Sequence, residues 1–447
     1  MFLKAKQFFV QLLGKGQAGE LARGSALLLV AKVFGAVSGY VMAFVLTQRG
    51  DAAAVGIYEL AFTCIILLSV VARFGLDGAI VRYVGVFMAN SEIGAVRWLY
   101  KKAMIFSALF ALALGGLVFL LAPYLSALFG DDDMTLPFKW AALAIPFFTL
   151  MNMNAETLRG FKRMVAYSFL QQGTVIFLAA SLFLIWWSKD AVGLSGVKAF
   201  FVASVVLFLI SQINVGQRFA KISALIIPKT SFSDVLKIAW PIFLSSSIFM
   251  VISWTDTLMI GYFLDKADVG VYRIAFRIST VITFTQFAIN GIAAPMIADH
   301  YHKGDMQGLR KLIHKIGLFN FLFSVPIFLI IVLAPSFLLG LFGAEYTSGT
   351  GILLMLSVGQ VVFALSGPVM YILTMTKHEK LALYIMYLTA IINLVGNAVL
   401  IPIYGLQGAA IATAFTTLLW NVLAVIAVNR YLGIVSVPFI HVFFEKK

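Results

Sequence analysis

Apolar residues run through this chain in long, nearly unbroken blocks separated by short polar stretches. Twelve such blocks lie near residues 25–47, 54–73, 102–122, 138–158, 166–187, 193–213, 238–263, 269–294, 316–334, 350–375, 381–401 and 406–428. Crossing roughly 30 Å of hydrocarbon takes about 20 mainly apolar helical residues, so each block predicts a transmembrane helix. The blocks lack the alternating in/out pattern of barrel strands, which excludes a β-barrel. The expected fold class is an all-α polytopic membrane protein of twelve transmembrane helices.

The pattern repeats. Gly56-Ile-Tyr-Glu-Leu-Ala-Phe62 returns as Gly270-Val-Tyr-Arg-Ile-Ala-Phe276. Ala122-Pro123 with Leu128-Phe129-Gly130 returns as Ala334-Pro335 with Leu341-Phe342-Gly343. Gly193-Leu-Ser-Gly196 returns as Gly405-Leu-Gln-Gly408. The offsets are 270 − 56 = 214, 334 − 122 = 212 and 405 − 193 = 212, in one order. Landmarks in register argue for a duplicated architecture. The expected division is a six-helix half over 1–216, a basic linker over 217–234 and a second six-helix half over 235–447. Six spans per half is even, so the halves share one orientation about a pseudo-two-fold axis along the membrane normal. Transporters built this way hold substrate between the halves.

Charge orients the chain. With a cytoplasmic N-terminus, 25 of the 33 basic residues fall inside, five fall at outer ends (Arg49, Lys139, Lys189, Lys198, Lys266), and three lie within spans. Asp131-Asp132-Asp133, Asp265 and Asp268 fall outside. This is the positive-inside distribution, and it places both termini in the cytoplasm. The net charge of +14 then reflects a basic face against anionic lipid rather than a nucleic-acid partner. Met1 to Arg23 mixes Phe and Leu with Lys and has no long apolar core, so it is expected to be an interfacial helix, not a signal peptide. Leu309, Leu312, Ile313 and Ile316 share one helical face of 303–316, which predicts a second in-plane surface helix.

Composition narrows the chemistry. The chain is 62% hydrophobic and 12% charged, with one cysteine, Cys64, inside an apolar run. No disulfide framework or cysteine metal site follows. No phosphate-binding glycine loop is present, so no direct ATP hydrolysis is expected. His300 and His302 beside Asp299 are too few for a zinc centre. No nucleophile–base arrangement or paired carboxylates stand out, and no cofactor is implied. The chain reads as a non-enzyme.

The candidate functional residues are charges inside spans: Lys32, Glu59, Asp256, Arg273 and Arg277. Each costs about 2.5–3.5 kcal/mol at mid-bilayer unless it faces a partner or a water-filled cavity. With the eighth block starting near Val269, Arg273 lies roughly 6 Å and Arg277 roughly 12 Å deep. The two are one turn apart and share a face. Guanidinium forks suit phosphate and carboxylate, so Arg277 is expected to draw in an anionic substrate. Arg273 either joins it or snorkels to the outer surface, and Lys32 either adds its charge or snorkels to the cytoplasmic end. Glu59 is expected to pair with Arg273 if the repeats face each other. Asp256 is a candidate proton- or sodium-coupling group or a structural partner to an arginine. Pro146, Pro241, Pro326 and Pro368 predict kinks, and Trp186, Trp187 and Trp240 predict interface belts.

Asn393-Leu-Val-Gly-Asn397, Ile401-Pro402, Gly405-Leu-Gln-Gly-Ala-Ala410 and Ile411-Ala-Thr413 resemble the polysaccharide transporter family. These are the Wzx-type oligosaccharide flippases of the multidrug/oligosaccharidyl-lipid/polysaccharide exporter superfamily. Asp256 with Gly261, Gly270-Val-Tyr272 and Leu158-Arg-Gly-Phe-Lys-Arg163 fit the same resemblance, which covers essentially the whole chain. It implies a flippase that moves polyprenyl-pyrophosphate-linked oligosaccharide, an O-antigen, capsule or exopolysaccharide unit, across a bacterial cytoplasmic membrane. It also implies lipid and polysaccharide-polymerase partners, and a cavity formed by the first, second, seventh and eighth spans. Lipid II flippases resemble the chain too but carry two further spans, so lipid II is not the expected substrate. The runner-up is a proton- or sodium-coupled multidrug and toxin extrusion antiporter. A membrane glycosyltransferase would need an acidic residue near long outer loops, and the outer loops here are short.

Overall fold

The computed structural model describes residues 17–130, 132–170, 172–186, 189–220 and 230–437. Most of the N-terminal interfacial segment and half of the linker lie outside the described residues. Every secondary-structure element among the described residues is helical. Nine helices there are long and apolar enough to cross a membrane. The protein is a multi-pass membrane protein.

Helix α1 covers Gln17–Arg49, α2 Ala52–Arg73, α3 Leu76–Ala89, α4 Ile93–Leu128, α5 Thr135–Gly160, α6 Met164–Phe169, α7 Gln172–Trp186 and α8 Val192–Phe219. After the linker come α9 Phe232–Phe263, α10 Lys266–Thr280, α11 Phe284–His302, α12 Met306–Leu333, α13 Pro335–Gly340, α14 Thr350–Ser366, α15 Val369–Met375, α16 Glu379–Tyr404 and α17 Leu406–Leu432. Helix α5 falls outside the nine, its C-terminal half carrying Asn152, Asn154, Glu156 and Arg159; α7 is too short; the eighth block is divided.

Three expectations change. The stretch 303–316 is no separate surface helix. Leu309, Ile313 and Ile316 are buried in the first turns of continuous α12, packed with Ala293, Ile297, Val369 and Val428. An amphipathic face buries equally well against protein or lipid, and periodicity alone cannot separate the two. The tenth block breaks between α14 and α15, where Gly367 takes φ +73° ahead of Pro368. Proline removes a donor and bars the preceding residue from the helical region. The eighth block also breaks, between α10 and α11, without a proline. Here hydroxyls take up the freed carbonyls. Ser279 Oγ, Thr280 Oγ1 and Thr283 Oγ1 donate to carbonyls three residues back at 2.7, 2.7 and 2.9 Å, and Ser324 Oγ on α12 donates to the Ile282 carbonyl at 2.7 Å. A break at membrane depth persists only when its carbonyls are satisfied in this way.

Equivalent helices pack on each other in both parts of the chain. Helix α1 packs on α7 as α9 packs on α16; α5 on α8 as α14 on α17; α2 on α5 as α10 on α14. The two repeats meet where α2 crosses α10. A Cβ on Gly56 would run into the Lys266 carbonyl, and a Cβ on Gly270 into the Ala52 carbonyl. Lys266 stands to Ala52 as Gly270 stands to Gly56, each 214 residues on. The glycine of the repeated heptapeptide therefore lets each copy's backbone touch the other's. Such small-residue crossings supply the close van der Waals packing that holds membrane helices together.

Candidate functional site

The crossing of α2 and α10 positions the charges. One turn past Gly56 sits Glu59, and one turn past Gly270 sits Arg273. Arg273 Nε donates to Glu59 Oε2 at 3.1 Å across a separation of 214 residues. Equivalent positions of the two repeats thus meet each other, one acidic and one basic. Arg277, one turn further, donates from Nη2 to Glu59 Oε1 at 2.7 Å and from Nη1 to the Gly39 carbonyl on α1. Thr63, the Arg277 counterpart in the first repeat, returns its hydroxyl to the Glu59 carbonyl at 2.6 Å.

Both carboxylate oxygens of Glu59 are engaged, and its side chain is 2% exposed, against 8% for Arg273 and 17% for Arg277. Two cations therefore share one anion, leaving a net positive charge. Arg273 is the enclosed member, its guanidinium 4.4 Å from the Trp254 ring centre and 5.5 Å from that of Phe276. Stacking on an indole face is a favourable cation–π contact. Arg277 is the member with an open side. Tyr40 on α1, the Trp254 counterpart, donates its hydroxyl to the Arg277 carbonyl.

The expected Glu59–Arg273 pairing is present. The pair of guanidiniums expected to face a substrate is turned onto Glu59 instead, Arg273 almost wholly. Lys32 does not join them. It is exposed on α1 with no ion-pair partner among the described residues, and it shares a helix face with Gly39 about 10 Å away.

Asp256 on α9 forms a second, separate cluster. It is 2% exposed, with Oδ2 accepting the Tyr272 hydroxyl at 2.6 Å and Oδ1 the Thr257 amide at 2.8 Å. No cation lies within ion-pair distance of it among the described residues, which removes the reading of Asp256 as an arginine's direct partner. The Tyr272 proton goes to the carboxylate, so the Thr413 hydroxyl, 3.2 Å from the phenol oxygen, is the donor of that pair; one phenol has one proton. Beside Thr413, Asn393 Nδ2 donates to Thr416 Oγ1 at 3.2 Å and Asn397 Nδ2 to Asn393 Oδ1 at 3.1 Å. Asn397 Oδ1 is buried with no partner. In the sequence Asn393 and Asn397 stood out only through the family resemblance, not through their link to Asp256 by way of Thr416, Thr413 and Tyr272. Tyr272 was visible as a repeat residue and in the family resemblance, but not as a partner of Asp256.

The two histidines take a structural role in part. His300 Nδ1 lies 2.8 Å from Asp305 Oδ2, while Asp305 Oδ1 caps α12 through the Gly308 amide at 2.8 Å. The amide first, and then the imidazole, hold the Asp305 carboxyl below its usual range.

The family model described as polysaccharide biosynthesis protein matches residues 21–301. The chain belongs to that family. Residues 241–399 of this family member also match the MatE family, which fits membership of the multidrug/oligosaccharidyl-lipid/polysaccharide exporter superfamily. An uncharacterized membrane protein of Methanocaldococcus jannaschii is 21% identical over 88% of the chain and 79% of its own length. The probable low-salt glycan biosynthesis flippase Agl15 of Haloferax volcanii is 26% identical over 37% of the chain and 35% of its own length. Among solved structures, the lipid II flippase MurJ in an inward closed conformation aligns with TM-score 0.73 at 14% identity, over 90% of this chain and 87% of that one. That likeness concerns the fold. The family match and the flippase relatives support a transporter of this superfamily.

Proposed function

We propose that this protein flips polyprenyl-pyrophosphate-linked oligosaccharide, an O-antigen, capsule or exopolysaccharide unit, across a bacterial cytoplasmic membrane. It would do so by alternating access of two six-helix halves, 1–216 and 235–447, joined by the cytoplasmic linker 217–234. The twelve-span layout with both termini cytoplasmic rests on the repeat, the recurring helix pairings and the charge distribution.

One observation carries the reading: Glu59, Arg273 and Arg277 are held with a net positive charge where the two repeats cross, with Arg277 open on one side. A pyrophosphate offers Arg277 two strong acceptors in place of one carboxylate oxygen. Drawing Arg277 toward substrate would loosen the α2–α10 contact, coupling the bound headgroup to the seam between the halves. Lys32, further along the same face of α1, would extend the positive path. Arg273 would stay on Glu59 and keep the seam intact.

Asp256 is the proposed ion-coupling group, for a proton or a monovalent cation. It is buried with no ion-pair cation among the described residues, and its hydrogen-bond chain runs through Tyr272, Thr413, Thr416 and Asn393 to the unpartnered Asn397 oxygen. That cluster and the MatE match also favour a second reading, a proton- or sodium-coupled multidrug and toxin extrusion antiporter. Cells lacking their own oligosaccharide flippase, carrying this chain, separate the two. Restored surface polysaccharide supports the flippase; drug resistance without polysaccharide sinks it. Polymerase and other assembly proteins would be partners in such cells.

A further inference from the structure

Away from both clusters, a cavity of about 510 Å³ opens between the C-terminal ends of α5 and α8, lined by Leu158, Arg163, Ala166, Asn214, Gln217 and Arg218. We propose that it binds the phosphoryl group of an anionic lipid at the membrane surface. The proposal does not depend on the transported-substrate reading.

The guanidiniums carry it. Arg163 and Arg218 both line the cavity, and their guanidiniums have no ion pair or hydrogen bond among the described residues. Their neighbour Arg159 shows the contrast, spent on Glu156 at 3.2 Å and on the Tyr167 ring at 5.4 Å. That bridge also consumes Glu156, the carboxylate on this stretch of α5. The backbone sets both arginines. Lys162 takes φ +57°, which turns the chain after α5 so that the Arg163 amide returns to the Leu158 carbonyl at 2.9 Å. On α8, Asn214, Gln217 and Arg218 are three and four apart and present one face. Asn214 Nδ2 donates to the Ile210 carbonyl at 2.9 Å, leaving its oxygen to accept from a headgroup hydroxyl. The C-terminus of α8 contributes about half a negative charge, which two guanidiniums outweigh. Leu158 and Ala166 give an apolar wall for the start of an acyl or prenyl chain. Basic pockets between transmembrane helices suit lipid phosphate, and guanidinium forks match its oxygens.

The phosphoryl could belong to a membrane phospholipid or to the transported lipid. The full-length protein, purified in detergent, is loaded with phosphatidylglycerol or with undecaprenyl phosphate, and retained lipid is read by native mass spectrometry. Wild type is expected to retain one phosphatidylglycerol that the Arg163→Gln/Arg218→Gln double variant holds roughly 30-fold less well, about fivefold per guanidinium at the surface. Lys162→Gln, outside the cavity lining, is expected to retain it. Ala166→Trp, which fills the cavity and keeps both arginines, is expected to lose it. If undecaprenyl phosphate displaces the bound lipid one for one, the site serves the transported lipid; if it does not, the site serves the membrane lipid. Equal retention by wild type, the double variant and Ala166→Trp overturns the proposal.

Discussion

Replacing Glu59 with glutamine tests the ion cluster most directly. The substitution keeps shape and removes one charge. Arg273 and Arg277, 8% and 17% exposed at their side chains, would then lie beside each other with no anion. Removing one partner of a buried pair costs about 3–5 kcal/mol, because the remaining charge is left uncompensated. Arg277 is partly exposed and can turn to solvent, so its share is discounted. The expected loss for Glu59→Gln is therefore about 3 kcal/mol, on the order of a hundredfold in the folded-to-unfolded ratio. Arg273→Met should cost less, about 1–2 kcal/mol, because Glu59 keeps Arg277 and the methionine can still fill space against Trp254. The double variant should be more stable than the sum of the singles implies, since it leaves no second buried cation; a coupling of about 1–3 kcal/mol is expected. Reversible unfolding in mixed micelles, followed by tryptophan fluorescence, measures all four proteins. Strictly additive effects, or a Glu59→Gln loss within about 0.5 kcal/mol of zero, would refute the idea that the repeats are joined by a buried ion cluster.

Arg277→Ala should lower export while membrane insertion and yield stay normal, as scored by surface polysaccharide and protein blots in the same cells. Gly270→Val should separate α2 from α10, because its Cβ meets the Ala52 carbonyl rather than a movable side chain; cross-linking between cysteines placed at Ala53 and Ala267 would report the loss. Asp256→Asn keeps the Tyr272 hydrogen bond but not the charge, so folding should survive while transport loses its response to a proton or sodium gradient, read as uptake into vesicles under imposed gradients. Asp305→Ala should speed amide exchange at Gly308. In the wild type that protection should hold above the ordinary carboxyl range and fade as pH falls through the lowered Asp305 value, since protonation weakens the acceptor that caps α12.

Much of the architecture can be read from the chain without coordinates. The apolar blocks dictate helices because a bilayer leaves only helices or closed barrels to satisfy the backbone, and unbroken apolar runs lack the alternation of a barrel. The duplicated heptapeptide announces two related units, and the 214-residue offset singles out Glu59 and Arg273 as counterparts. Their pairing followed once the copies were allowed to face each other. The break in the eighth block was not legible, because serine and threonine are compatible with an unbroken helix until a partner such as Ser324 takes the freed carbonyl. The surface helix over 303–316 failed for a related reason: an apolar stripe does not say what covers it.

What the sequence determined by itself was the class, the repeat and the inventory of intramembrane charges, because these follow from local composition and from chain-internal register. Which charges meet was left to the tertiary structure. Only the α2–α10 crossing puts two arginines on one glutamate and leaves Lys32 out. Only the packing of α9 against α10 gives Asp256 the Tyr272 hydroxyl, in turn within reach of Thr413 on α17, instead of an ion-paired cation among the described residues. Both outcomes depend on contacts between residues far apart in the chain, and distance in space is not written in spacing along it.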